Sequence, residues 1–223
     1  FLDPRLFNGI SVWVKPAKFF LSLAVHMLTL SFGLSLLPQD MQRGRGAAIA
    51  ATTMVTMAIG EMVYITFRAA RAEASHFNDG SALAGMLYTA MGIGAALMMV
   101  VTAWIGYRIL RHGNPGTVHR ATGTSFVVAA ILTLIIGFTL GGMGSHWIGG
   151  DQTDATGLPI FGWSTTGGDL RSSHFLALHL MQIVPFVAWA GGKTAAIAAM
   201  AAGVALSGLT FMLALNGIPI YAN

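Results

Sequence analysis

Residues 47–67 read AAIAATTMVTMAIGEMVYITF, and this stretch decides the fold. It is apolar enough and long enough to cross a hydrocarbon core about 30 Å thick, which takes about 20 residues of helix. A backbone in lipid must satisfy its own polar groups, so an uninterrupted apolar run of this length means a helix rather than a barrel strand. Inside it sits one carboxylate, Glu61. An ionisable group at such depth is expensive and marks a functional site by default.

Working outward, five more segments have the same character. The predicted spans are 18–37, 47–67, 83–107, 121–142, 174–190 and 194–215. The chain of 223 residues is 55% hydrophobic and only 9% charged, against about 25% charged in a soluble domain. The expected fold is therefore all-α, a polytopic membrane bundle of about six transmembrane helices forming a single domain over 1–223. The opening residues 1–18 lack the layout of a signal peptide, and Trp13 and Lys15 read as interfacial anchors. Small residues such as Gly92, Gly94, Ala199 and Gly203 suit close helix packing. The absence of cysteine excludes disulfides and iron–sulfur clusters. The net charge of +4 is dispersed, so no basic cluster points to nucleic acid. The lipid bilayer is the expected partner.

Six spans place Arg5, Lys15, Lys18, Arg68, Arg71 and Arg171 on one side, and Arg43, Arg45, Arg108, Arg111, Arg120 and Lys193 on the other. The raw count is even. Arg68, Arg71 and Arg171 lie beside acidic and imidazole groups and read as site residues. Setting them aside puts the second group inside and the N-terminus outside. The long loop 144–173 then lies outside, either as a functional element or as a hairpin covering the bundle.

Glu61, Tyr64, Arg68, Arg71 and Ser75 recur at helical spacing and are predicted to form one stripe. The stripe is the wall of a polar cavity, or else Arg68 neutralises Glu61. Residues 169–182, DLRSSHFLALHLMQ, bring Arg171, His174, His179 and Gln182. Asp169, Ser172 or Ser173 suits the helix start as a cap. Counted inward from Lys18, Arg68 and Arg171, His26, Glu61 and His179 lie at about 10–12 Å depth from the same face. Tyr88 enters from that face too. Paired imidazoles at one depth suit axial ligation of haem b, with His26 and His179 as ligands. His76, His174, His179 and Glu61 instead suit a metal ion. A histidine with a carboxylate can also relay protons. Glu61, Tyr64, Arg68, Arg71 and Arg171 would be the catalytic groups.

Two stretches, EMVYITFRAARAEASHFN at 61–78 and GLPIFGWSTTGGDLRSSHFLALHLMQ at 157–182, resemble an uncharacterised family of bacterial multi-span membrane proteins, and WVKPAKFF at 13–20 fits as well. The resemblance implies a multi-span helical fold and a bacterial membrane. It brings no activity. The chain departs from cytochrome b-type proteins, whose histidines pair across two helices in recognisable sets. Three functions follow as expectations: a metal- or haem-dependent oxidoreductase, an accessory or assembly subunit of a respiratory or photosynthetic complex with other membrane subunits as partners, and a small-anion or proton-coupled transporter. Whether the chain is an enzyme at all stays open at this level.

Overall fold

The computed structural model describes residues 3–78 and 80–222, so the first two residues of the N-terminal stretch lie outside it. The chain is an all-α bundle. Its long helices are α1 (Val14–Ser35), α3 (Arg45–Ala70), α4 (Ala82–His112), α5 (Thr117–Met143) and α6 (Leu170–Leu215), with a short α2 (Gln39–Gln42) between the first two. All five long helices are apolar enough to cross a membrane, which makes this a multi-pass membrane protein. Large apolar side chains such as Phe20, Leu28, Ile59, Val63, Phe138 and Trp189 remain exposed along them, as a lipid-facing surface requires.

The sixth crossing is inside α6. A straight helix of 46 residues would be about 69 Å long. It is broken at Gly192, where φ 74° and ψ −165° are non-helical and open essentially to glycine alone. Beyond the break the chain runs back. Leu180 meets Gly203, and Gly168 meets the carbonyl of Ala214, so residues at matching distances from Gly192 touch. The two halves are an antiparallel hairpin, in agreement with predicted spans at 174–190 and 194–215. Pro185 lies within the first half, while the reversal occurs seven residues later, at Gly192.

The helices pack in sequence order: α1 against α3 and α4, α3 against α4, α4 against α5, and α5 against α6. The buried core runs through Leu30, Met54, Met98, Ile105, Phe126, Leu180 and Val184. α4 and α5 cross closely because both carry glycine there: a Cβ on Gly106 would lie 2.7 Å from the Gly123 carbonyl.

The bundle has two chemically different ends. One, the histidine end, carries the two short hairpins: β1 (Leu6–Phe7) with β2 (Ile10–Ser11), and β3 (Trp147–Ile148) with β4 (Gly168–Asp169). The other, the arginine end, carries α2 and the turn at Gly192.

Candidate functional site

A folded lid covers the histidine end. It spans residues 144–169 and hangs on Arg171, in the first turn of α6. The Arg171 guanidinium donates to Asp169 (Nη2–Oδ2 2.6 Å), to Asp154 (Nη1–Oδ1 2.7 Å) and to the carbonyl of Gly162 (2.7 Å), and lies 5.7 Å from the Trp147 ring. Asp169, only 2% exposed, is also the N-cap of α6: its Oδ1 accepts from the Arg171 backbone N–H, and Oδ2 accepts from the N–H of Ser164. This bears out Asp169 among the predicted caps. The lid is also tied to the N-terminal segment, through Asp154 N–H to the Asn8 carbonyl (3.1 Å) and Lys18 Nζ to the Phe161 carbonyl (3.0 Å). Phe161 stacks on Trp163 (4.4 Å), and both rings pack against Phe175. Arg171, expected among the catalytic groups, is thus a structural hub whose donors are engaged in holding the lid.

Beneath the lid five histidines form a series drawn from four segments. His76, in the loop after α3, has its Nδ1 at 3.1 Å from Lys15 Nζ and at 3.1 Å from Ser75 Oγ. An ammonium only donates, so His76 Nδ1 accepts and the imidazole is neutral, with its proton on Nε2. Burial pushes His76 well below the ordinary imidazole range, and the charges of Lys15, His146 and His174 act in the same direction. Its ring also meets Phe19 (5.5 Å) and Tyr88 (6.0 Å). His146, in the lid, is pushed down to about 3, first by burial and then by Arg171, against the opposing pull of Asp169. His146 Nδ1 lies 3.7 Å from Asp169 Oδ1, too far to bond, and has no hydrogen-bond partner among the described residues. His174 lies within electrostatic reach of both His76 and His179. His179 in turn reaches His26, on α1. His179 Nδ1 is bonded to the Phe175 carbonyl (2.8 Å), so Nδ1–H donates and Nε2 is left free. His26 is 5% exposed, with Nε2 at 3.4 Å from Thr102 Oγ1.

The arginine stripe is arranged differently from expectation. Arg68 pairs with Glu73 (2.8 Å) and donates from Nε to the Ala74 carbonyl (3.0 Å), and Arg71 also pairs with Glu73 (3.0 Å). The physical reason is that α3 stops at Ala70 and the chain doubles back: Ala72 takes φ 52°, and the Glu73 N–H returns to the Arg68 carbonyl (3.0 Å). The reading in which Arg68 neutralises Glu61 is therefore corrected. Ser75 is likewise off the helix and serves His76 instead.

Glu61 is 8% exposed and has neither a hydrogen bond nor an ion pair among the described residues. The cation whose field reaches it is Lys15. One turn along, the buried Tyr64 hydroxyl has no hydrogen-bond partner among the described residues, and its ring lies 5.9 Å from Arg68.

The expected single layer of His26, Glu61, Tyr88 and His179 resolves into two connected parts. Tyr88 joins His76 near the lid, while His26 and His179 sit deeper. No group of three or more His, Asp or Glu residues among those described could hold a metal ion, so His76, His174, His179 and Glu61 are not gathered into one ligand set. Lys15 is the residue the sequence reading missed. It stands eleven residues before His26, about three turns, hence on the same helix face. That spacing was the available signal. No family model, curated protein or solved structure matches the chain.

Proposed function

We propose that this is a proton-handling protein of the bacterial inner membrane, with the histidine end facing the periplasm. Glu61 takes up and releases a proton during its cycle, and Lys15, His76 and His146 connect that carboxyl with the lid. The observation that carries the reading is the solitary state of Glu61: a carboxyl in a membrane helix whose neighbouring arginines are both committed to Glu73. A carboxylate kept only as structural glue would have one of those arginines as its partner. Lys15, whose field reaches Glu61, is hydrogen-bonded to His76, and His76 to Ser75, which supplies a polar segment between the carboxyl and the lid. The orientation is supported by charge. Setting aside Arg68, Arg71 and Arg171, which pair with Glu73, Asp154 and Asp169, leaves Arg5, Lys15 and Lys18 at the histidine end against Arg43, Arg45, Arg108, Arg111, Arg120 and Lys193 at the arginine end, the bias expected of a cytoplasmic face. Infrared difference spectra between acidic and alkaline buffer test the assignment. A carboxyl C=O band that disappears in Glu61→Gln is expected. An identical spectrum in the variant overturns the reading.

A redox reading has its own support. His179 holds Nδ1–H on a backbone carbonyl and presents Nε2, the arrangement that prepares an imidazole to ligate, and His26 comes from the facing helix. A bundle of this kind could hold a haem or a metal ion between α1 and α6, making the protein an oxidoreductase. A visible spectrum and elemental analysis of gently purified protein decide it. A Soret band or stoichiometric metal lost in His26→Ala and His179→Ala supports the reading, and a colourless, metal-free protein refutes it.

A further inference from the structure

The arginine end contains a cavity of about 360 Å³ between α2, the start of α3 and the last turns of α4. Two opposite charges line it, Asp40 and Arg108, and they do not pair with each other or with any other charged group among the described residues. The guanidinium of Arg108 lies 5.6 Å from the Trp104 ring, and its one hydrogen bond among the described residues is to Met41 Sδ (3.4 Å), which is a poor acceptor. Its hydrogen-bonding capacity is therefore largely unspent. Gly46 lets the Trp104 ring approach the start of α3, since a Cβ there would sit 3.0 Å from it. The first turn of α3 adds donors. Its N-cap is Gly44, which offers no side chain, and the first intrahelical bond is Ala48 N–H to the Gly44 carbonyl, so the three preceding N–H groups have no acceptor among the described residues.

We propose that this cavity binds the head of a zwitterionic phospholipid, with the phosphate on Arg108 and the ammonium on Asp40. The argument is one of charge and place. A phosphate is the oxygen-rich anion that a guanidinium stacked on an aromatic ring is built to take. The cavity lies where apolar helices give way to polar connections, and a Trp beside an Arg there is at headgroup level. A purely anionic head would leave Asp40 facing a like charge. Phosphoethanolamine supplies a partner to both residues from one molecule. The inference is independent of the proton chemistry at the other end, because Arg108 and Asp40 take no part in the histidine series.

Delipidated full-length protein in detergent provides the test, with thermal unfolding and native mass spectrometry as readouts. The probes are phosphatidylethanolamine, phosphatidylglycerol, O-phosphoethanolamine and inorganic phosphate. Phosphatidylethanolamine is expected to bind and raise the melting temperature more than phosphatidylglycerol, and inorganic phosphate is expected to do neither. Arg108→Gln should weaken the binding about tenfold or more, as loss of a charge-assisted hydrogen bond does. Asp40→Asn should abolish the preference for phosphatidylethanolamine while leaving phosphatidylglycerol binding intact or improved. Equal binding of the two lipids by the parent protein overturns the proposal. So does protection by inorganic phosphate equal to that by lipid, which would make the site one for a free anion. If Arg108→Gln fails to fold, Asp40→Asn carries the test alone, and an unchanged lipid preference in that variant also overturns it.

Discussion

Replacing Arg171 by glutamine should open the lid without dismantling the bundle. The side chain makes charge-assisted bonds to Asp169 and Asp154 at 2.6–3.0 Å and a further one to the Gly162 carbonyl at 2.7 Å. Such bonds contribute about 1.5–3 kcal/mol each, but they share one guanidinium and do not add. The larger effect falls on Asp169. It is 2% exposed, and without Arg171 its carboxylate keeps only the backbone N–H groups of Ser164 and residue 171. Stripping one partner from a buried pair costs about 3–5 kcal/mol. Arg171 itself is 28% exposed on its side chain, so water recovers part of this and the lower figure, about 3 kcal/mol, is expected. Amide hydrogen exchange reads the result directly. The protected N–H groups of 144–169 should exchange roughly a hundredfold faster in Arg171→Gln, while those of α4 and α5 stay as in the parent protein. Arg171→Lys should recover little, because an ammonium cannot reproduce the fork. Asp154→Asn should give a smaller effect, about 1–2 kcal/mol, since it removes one arm only. Unchanged exchange in the lid of Arg171→Gln would refute the hub. Activity that is lost while the lid stays closed would return Arg171 to the catalytic groups.

Three further outcomes are expected. Glu61→Leu should leave thermal stability unchanged or raise it, because no cation is orphaned, whereas Arg68→Gln should lower it by about 1 kcal/mol or more by releasing the Ala74 carbonyl and one of the two cations on Glu73; melting curves of the two variants would show the opposite order if Arg68 were the partner of Glu61. Gly192→Ala should cost about 1–3 kcal/mol, since φ 74° and ψ −165° are closed to a Cβ even though no atom lies near it; a neutral substitution in a denaturant titration would contradict a fixed break there. His146 lies at about 3 in the folded protein against an ordinary 6.5, so the folded state binds fewer protons than the unfolded one between those values. Stability is therefore full above about pH 6.5 and declines as pH falls toward about 3, and His146→Gln should flatten that decline in melting temperature against pH.

The spans were legible because hydropathy over twenty residues is a local property, and a membrane leaves a helix little choice. The hairpin in α6 was legible for the same reason, from Gly191, Gly192 and Lys193 between two apolar runs. The partner of Arg68 was not. It depends on α3 ending at Ala70 and on Ala72 entering the left-handed region, and no Pro or Gly stands there to announce the turn. Arg171 was visible as a site residue, but its partner Asp154 lies seventeen residues away across an irregular loop. Lys15 looked like an anchor because lysines near span ends usually snorkel. Its inward direction is set by α1 packing against α3 and by the loop that delivers His76, and neither contact has a periodic signature.

The reversal at Gly192 bears on how the protein is made. The lid strand β4 immediately precedes α6, and its Gly168 rests against Ala214, while Gly217 packs beside Ile148 of β3. The floor of the lid is thus supplied by the second arm of the α6 hairpin, which is synthesised after the lid itself. A nascent chain released as far as Gly192 already carries every histidine of the series, yet it lacks the ground on which the cover settles. Closure of the chamber must therefore follow insertion of the second arm of α6, and until then the interior stands open to the side on which the lid was delivered. Any group too large to pass a closed lid has its opportunity to enter during that interval of biogenesis.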